Sequence, residues 1–184
     1  MGSSSSVSRS SKTSSHLSKA CVGQGYQTRV YFHAHADSNA EPYEVDDSEL
    51  REHLSPLIGD EIITWIAVYK KPLAEWQLSD SIFYHAFIVF QTGEGLWWSI
   101  EKNDEGVTLQ RSERKAYVVE MYRREPRARP VKMITSDEAW CPLEKFADLL
   151  YTTDAVGSSY NLILSNCKDF ARKVFNRVAR TETW

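Results

Sequence analysis

Two side chains in this sequence combine the residue types and the settings that nucleophilic chemistry needs. Cys167 follows the polar pair Ser165-Asn166 and opens a stretch with helical apolar spacing, carrying Phe170, Ala171, Val174, Phe175 and Val178 on one face. At a helix N-terminus the macrodipole and the unpaired backbone N–H groups lower a thiol pKa and can hold an oxyanion, so position alone makes Cys167 a candidate nucleophile. A thiol nucleophile needs a base. Of the five histidines, His85 stands near the start of an apolar run, residues 84–90, whereas His16 lies among serines and His53 in an acidic segment. A buried imidazole must find a polar partner, which makes His85 the candidate general base. Cys21 and Cys141 have no such setting and read as small hydrophobes. His33 and His35 alternate as two ligands on one strand face would, but no third ligand is near, and no metal or other cofactor is expected.

The elements that must position these two residues are of different kinds. Residues 28–32 and 62–69 are rich in β-branched and aromatic side chains and read as strands. Residues 83–90 and 96–102 flank the turn residues Thr92-Gly93-Glu94-Gly95 and read as a β-hairpin with His85 on its first strand. Residues 107–111 and 116–122 extend a mostly antiparallel sheet, and residues 70–81 read as a long loop. Residues 123–130 hold four arginines broken by Pro126 and Pro130, a pattern of a solvated loop or of a contact for phosphate head groups or another acidic partner. Pro142 precedes helical spacing over residues 143–150, and the last helix starts near Asn166.

Composition narrows the function classes. The chain has 184 residues, 42% of them hydrophobic, enough for one sizeable core and one domain over residues 27–184. Its formal charge of -3 offers no footprint for nucleic acid. No apolar run approaches the length of a membrane-spanning helix. Three cysteines without CxxC spacing make no disulfide framework, which points to a reducing, cytoplasmic setting. Residues 1–26 form a Ser-rich tail expected to be disordered. The start Met1-Gly2-Ser3-Ser4-Ser5-Ser6 fits the N-myristoylation pattern, so Gly2 is a candidate lipidation site, and the tail a candidate peripheral membrane contact.

The segments around both residues resemble the lecithin:retinol acyltransferase family, in particular its HRAS-like suppressor phospholipase/acyltransferases. His85-Ala86-Phe87-Ile88-Val89 and Asn166-Cys167-Lys168-Asp169-Phe170 match that family's histidine strand and Asn-Cys-x-x-Phe helix start in the same chain order. Tyr160, Leu162, the tripeptide Val178-Ala179-Arg180 and the pair Gly59-Asp60 add to the likeness. The resemblance implies an α+β, circularly permuted papain-like domain of the NlpC type, with an antiparallel sheet packed against the helix bearing the cysteine. It further implies a thiol acyltransferase or phospholipase, with an acyl-cysteine intermediate and a phospholipid or other acyl donor as partner.

The chain departs from that family in lacking a histidine after His85. If the hairpin turn centres between Gly93 and Glu94, His85 lies opposite Lys102 and beside Glu101. Glu101 is then the candidate third member, orienting the imidazole, with Ser99 second. The chain also stops at Trp184 without the C-terminal anchor of many such acyltransferases, so lipid access would depend on the tail or on Trp97 and Trp98. The backbone N–H of Cys167, with Asn166 or Asn161, would hold the oxyanion. A cysteine peptidase or deubiquitinase-like isopeptidase is the alternative enzyme, because another permuted papain-like group uses a His-then-Cys dyad without a second histidine. A catalytically inactive, membrane-associated binding module is the alternative from outside enzymes.

Overall fold

The computed structural model describes residues 29–72, 84–152, 167–181 and 183–184. In chain order its elements are β1 (Arg29–His33), β2 (Tyr43–Asp46), α1 (Asp47–Ile58), β3 (Ile62–Pro72), β4 (Tyr84–Thr92), β5 (Trp97–Lys102) and β6 (Val107–Ser112). They continue with α2 (Lys115–Val119), β7 (Met121–Tyr122), β8 (Glu125–Pro126), β9 (Lys132–Pro142), α3 (Leu143–Thr152) and α4 (Cys167–Val178). Seven strands join in one sheet in the order β2-β1-β6-β5-β4-β3-β9, and β7 and β8 form a separate small hairpin. The sheet is antiparallel except where β1 runs parallel to β6, so it is mixed, and the fold is α+β.

The two sheet faces differ in chemistry. On the first, Phe32, Ile66, Val68, Ile88, Phe90, Trp98, Ile100 and Leu109 are fully or almost fully buried and pack against α1, α3 and α4. Trp98 stacks between Phe32 and Phe90 with ring centroids at 6.2 and 5.9 Å, and Phe90 meets Phe146 of α3 at 4.8 Å. Burial of a side chain that large contributes about 1.5–3 kcal/mol, so this face carries most of the driving force for folding. On the second face the centre is polar: His33, Ser99, Glu101, Thr108 and Gln110 are all buried. A thin cover lies over that face, with Val118 and Val119 of α2 packed against Ala67, Tyr69, Phe87 and Val89.

Helix α1 has apolar residues at 50, 54, 57 and 58, and three of them, Leu50, Leu54 and Ile58, enter the core. It ends at Gly59, whose φ of +46° is the left-handed C-terminal turn that glycine adopts without a Cβ penalty. At the far edge of the sheet the C-terminal segment returns onto β9. Ala179 bridges Ala139, and the Arg180 N–H donates to the Glu138 carbonyl at 3.0 Å.

Several expectations are corrected. Of residues 116–122, expected as a strand, only Met121 and Tyr122 are one, in β7: Lys115–Val119 is a helix, because covering the sheet overrides the β-propensity of Tyr117, Val118 and Val119. Residues 70–72, expected in a loop, extend β3 to Pro72. The arginine-rich run is only in part a solvated loop: Glu125, Pro126 and residues 128–130 are exposed, but the run turns through the β7–β8 hairpin and buries the Arg127 side chain to 2% exposure. The β4–β5 register is displaced by one residue from the expected pairing: Val89 faces Ser99 and Ile88 faces Ile100. Odd-numbered residues of both strands therefore share a face, and His85 stands with Glu101 rather than with Lys102. Trp98, expected to face lipid, is 1% exposed in the core.

Candidate active site

His85 lies one residue into β4, an inner strand flanked by β3 and β5, where it pairs with Lys71. This setting leaves its side chain 6% exposed, so both ring nitrogens must find partners inside the protein. Nε2–H donates to Glu101 Oε2 at 2.9 Å. The hydrogen bond to the Cys167 side chain then falls to Nδ1. Burial alone would lower the imidazole pKa, but the hydrogen bonds from Cys167 and Glu101 and the charge on each outweigh it, and the pKa is raised. The site favours imidazolium.

Cys167 arrives from the opposite layer. Helix α4 packs on the apolar face through Phe170, Ala171, Val174, Phe175 and Val178, and its first residue, Cys167, reaches the start of β4. There Sγ lies 4.0 Å from the Tyr84 carbonyl oxygen, and the residue is 3% exposed. A thiol at a helix start, bonded to an imidazole that favours its protonated form, has two independent reasons to ionise.

Glu101, 1% exposed, is the anionic centre of the second face. Burial alone would raise its pKa, but the Arg127 guanidinium, followed by the hydrogen bond and charge of His85, holds the carboxyl well below the usual carboxylate range. Arg127 Nη2 donates to Oε1 at 2.5 Å and Nη1 to Oε2 at 3.3 Å. Its Nε donates to the Val119 carbonyl at 3.0 Å, and its guanidinium lies 4.2 Å from the Phe87 ring centroid. Two further titratable groups border the carboxylate. Lys71 is lowered in pKa first by its burial, and Tyr122 is raised first by its own.

The other expected residues are placed differently. Ser99 accepts a hydrogen bond from Gln110 Nε2 at 3.1 Å and takes no part with His85. His33 is buried, with burial and then Arg124 and Arg123 lowering its pKa to about 4, while His35 is exposed. Among the described residues no group of three or more His, Cys, Asp or Glu side chains could hold a metal ion. Gly2, Cys21, Tyr160, Asn161, Leu162 and Asn166 lie outside the described residues. Sequence reasoning missed Arg127. Its neighbours Pro126, Ala128, Arg129 and Pro130 single it out in no way. The available hint was the requirement that a buried carboxylate have a cationic partner.

Residues 43–183 match the model of the PPPDE putative peptidase domain. This match overturns the expected membership of the lecithin:retinol acyltransferase family, and with it the support for lipid acyl transfer. The His-strand and Cys-helix segments that carried the likeness are short, and the matched model covers both within a different family. Neither a curated protein nor a solved structure matches the chain.

Proposed function

We propose that this chain, which belongs to the PPPDE putative peptidase domain family, is a cysteine peptidase or isopeptidase that works through Cys167 and His85. The observation that carries this reading is one imidazole, buried in a strand, hydrogen-bonded on one side to a helix-start thiol and on the other to an ionised carboxylate. We read the fold as a permuted papain-like domain, because the histidine strand precedes the cysteine helix in the chain.

In the acylation step His85 Nδ1 takes the Sγ proton and the thiolate attacks the carbonyl carbon of a peptide or isopeptide bond. The C–N bond then breaks. Its nitrogen takes the proton from the imidazolium and leaves as the amine, so that the acyl group remains as a thioester on Cys167. Water, deprotonated by His85, attacks the thioester, releasing the acid and restoring the thiol. Glu101 acts through His85, fixing the ring and stabilising its positive charge, which makes it a positioning residue. The backbone N–H groups that begin α4 supply donors to the tetrahedral oxyanion.

The test is turnover of a panel of fluorogenic peptide amides and isopeptide-linked lysine substrates, with intact-mass detection of an acyl adduct. Cleavage by the wild type that both Cys167→Ala and His85→Ala abolish, with the adduct mapped to Cys167, is the expected result. Cleavage that survives Cys167→Ala overturns the assignment.

A further inference from the structure

The carboxylate behind His85 cannot be understood without the residue behind it. Glu101 and the Arg127 side chain are each about 2% exposed, so both charges have left water almost completely. A buried carboxylate and a buried imidazole that share a hydrogen bond have two ways to place one proton. It resides either on the imidazole, giving an ion pair, or on the carboxyl, giving two neutral groups. An apolar surrounding favours the neutral arrangement. The neutral arrangement would deprive Cys167 of the imidazolium that its thiolate needs.

We propose that Arg127 is a positioning residue for the thiol site, acting through Glu101 to keep the proton on His85. The inference rests on the thiol-peptidase reading above. Its geometry is specific: Arg127 spans both carboxylate oxygens, and the Oε2 atom it reaches at 3.3 Å is the same atom that takes the His85 Nε2–H. The guanidinium is itself fixed, by its bond to the Val119 carbonyl and by the faces of Phe87 and Tyr122 at 4.2 and 5.4 Å. This is a fork that lysine cannot reproduce, because an ammonium is a single point of charge. Of the other titratable groups near Glu101, Lys71 on β3 stands across from His85 and Tyr122 on β7 packs beside Arg127. Lys71 lies over the Tyr122 ring at 5.2 Å and the Tyr122 hydroxyl bonds to Asn103 and Thr108, whereas Arg127 holds the carboxylate with two hydrogen bonds. The cover of the second face thus supplies a charge to a site whose nucleophile comes from the first.

The experiment is the pH profile of Cys167 alkylation by iodoacetamide in the full chain, measured for the wild type and for His85→Ala, Arg127→Met and Arg127→Lys. Val118→Ala serves as a control, since Val118 is fully buried in the same cover and packs in its apolar cluster. Wild-type alkylation is expected to begin well below the pH of an ordinary thiol. Arg127→Met should raise the midpoint by about one pH unit or more, Arg127→Lys by less, and Val118→Ala not at all. A low wild-type midpoint that both Arg127 variants leave in place overturns this inference and spares the peptidase reading. An ordinary thiol profile in the wild type that His85→Ala does not change overturns both. If Arg127→Met fails to fold, the comparison of Arg127→Lys with Val118→Ala decides: equal midpoints overturn the inference, and a rise confined to Arg127→Lys sustains it.

Discussion

The two faces of the central sheet solve opposite problems. The face under α1, α3 and α4 is lined with aliphatic and aromatic side chains in mutual contact, and its chemistry is burial. The face under α2 and the β7–β8 hairpin carries a row of buried polar side chains, several of which are matched by one another. Glu101 is matched by His85 and Arg127, and Gln110 by Ser99 and the Arg123 backbone N–H. One face supplies stability, and the other spends part of it on a fixed arrangement of charge. The proposed chemistry lies at the start of β4, where a residue from the helix layer meets a residue of the polar face.

That division can be broken from either side. Cys167→Ala removes the nucleophile while leaving the apolar cluster in place, so turnover should fall by about 10^4-fold or more while the melting temperature stays close to wild type. Phe90→Ala attacks the other face. It should cost about 3–5 kcal/mol in urea unfolding, because the ring contacts both Trp98 and Phe146 and leaves a cavity between sheet and helix. Surviving folded protein should still alkylate at Cys167 with a wild-type pH profile.

Glu101→Gln sharpens the comparison by damaging both properties together. It leaves Arg127 buried without its anion, at a cost of about 3 kcal/mol, and it removes the charge that favours imidazolium. Unfolding midpoint and alkylation profile should therefore both move, which neither of the first two variants achieves. The smallest effect concerns His33, on the polar face but away from the thiol. Its folded pKa, about 4, lies below the ordinary 6.5, so the unfolded chain takes up a proton that the folded chain refuses. Its contribution is full above about pH 6.5 and is lost as pH falls toward 4. Comparing urea midpoints at pH 7 and pH 4.5, His33→Phe should show a smaller drop than the wild type, with thiol chemistry unchanged.

The apolar face was the more legible of the two in the sequence. Long β-branched and aromatic runs announced β3, β4 and β5, and the spacing of Phe170, Val174 and Val178 announced α4. Strand β9 gave no such pattern: as an edge strand with its middle residues half-buried or exposed, it can carry Thr135, Ser136, Asp137 and Glu138 in succession. Helix α1 was hidden by its acidic residues, although Leu50, Leu54 and Ile58 had helical spacing. The candidate site was legible where its residues belong to regular elements, as His85 and Cys167 do. Glu101 was named from a hairpin register that proved one residue out, and the true register is what sets it on the face of His85. A one-residue slip reverses every side chain, so the arithmetic of a turn is a fragile guide. Arg127 was illegible because its role depends on a two-strand hairpin folding back over the sheet, a contact that no local pattern encodes.

The return of the C-terminal segment onto β9 bears on solubility. A seven-stranded sheet ends in two edges, and a bare edge offers its unpaired N–H and C=O groups to the same edge of another molecule. One edge here, β2, is only four residues long. The other is eleven residues long, and the bridge from Ala179 to Ala139 and the Arg180 N–H bond to the Glu138 carbonyl engage backbone groups in its middle, while Thr181 bonds to the Asp137 side chain. Residues 179–181 therefore cover part of that edge, and substitutions that lift them off β9 would expose a template for intermolecular β-pairing and aggregation.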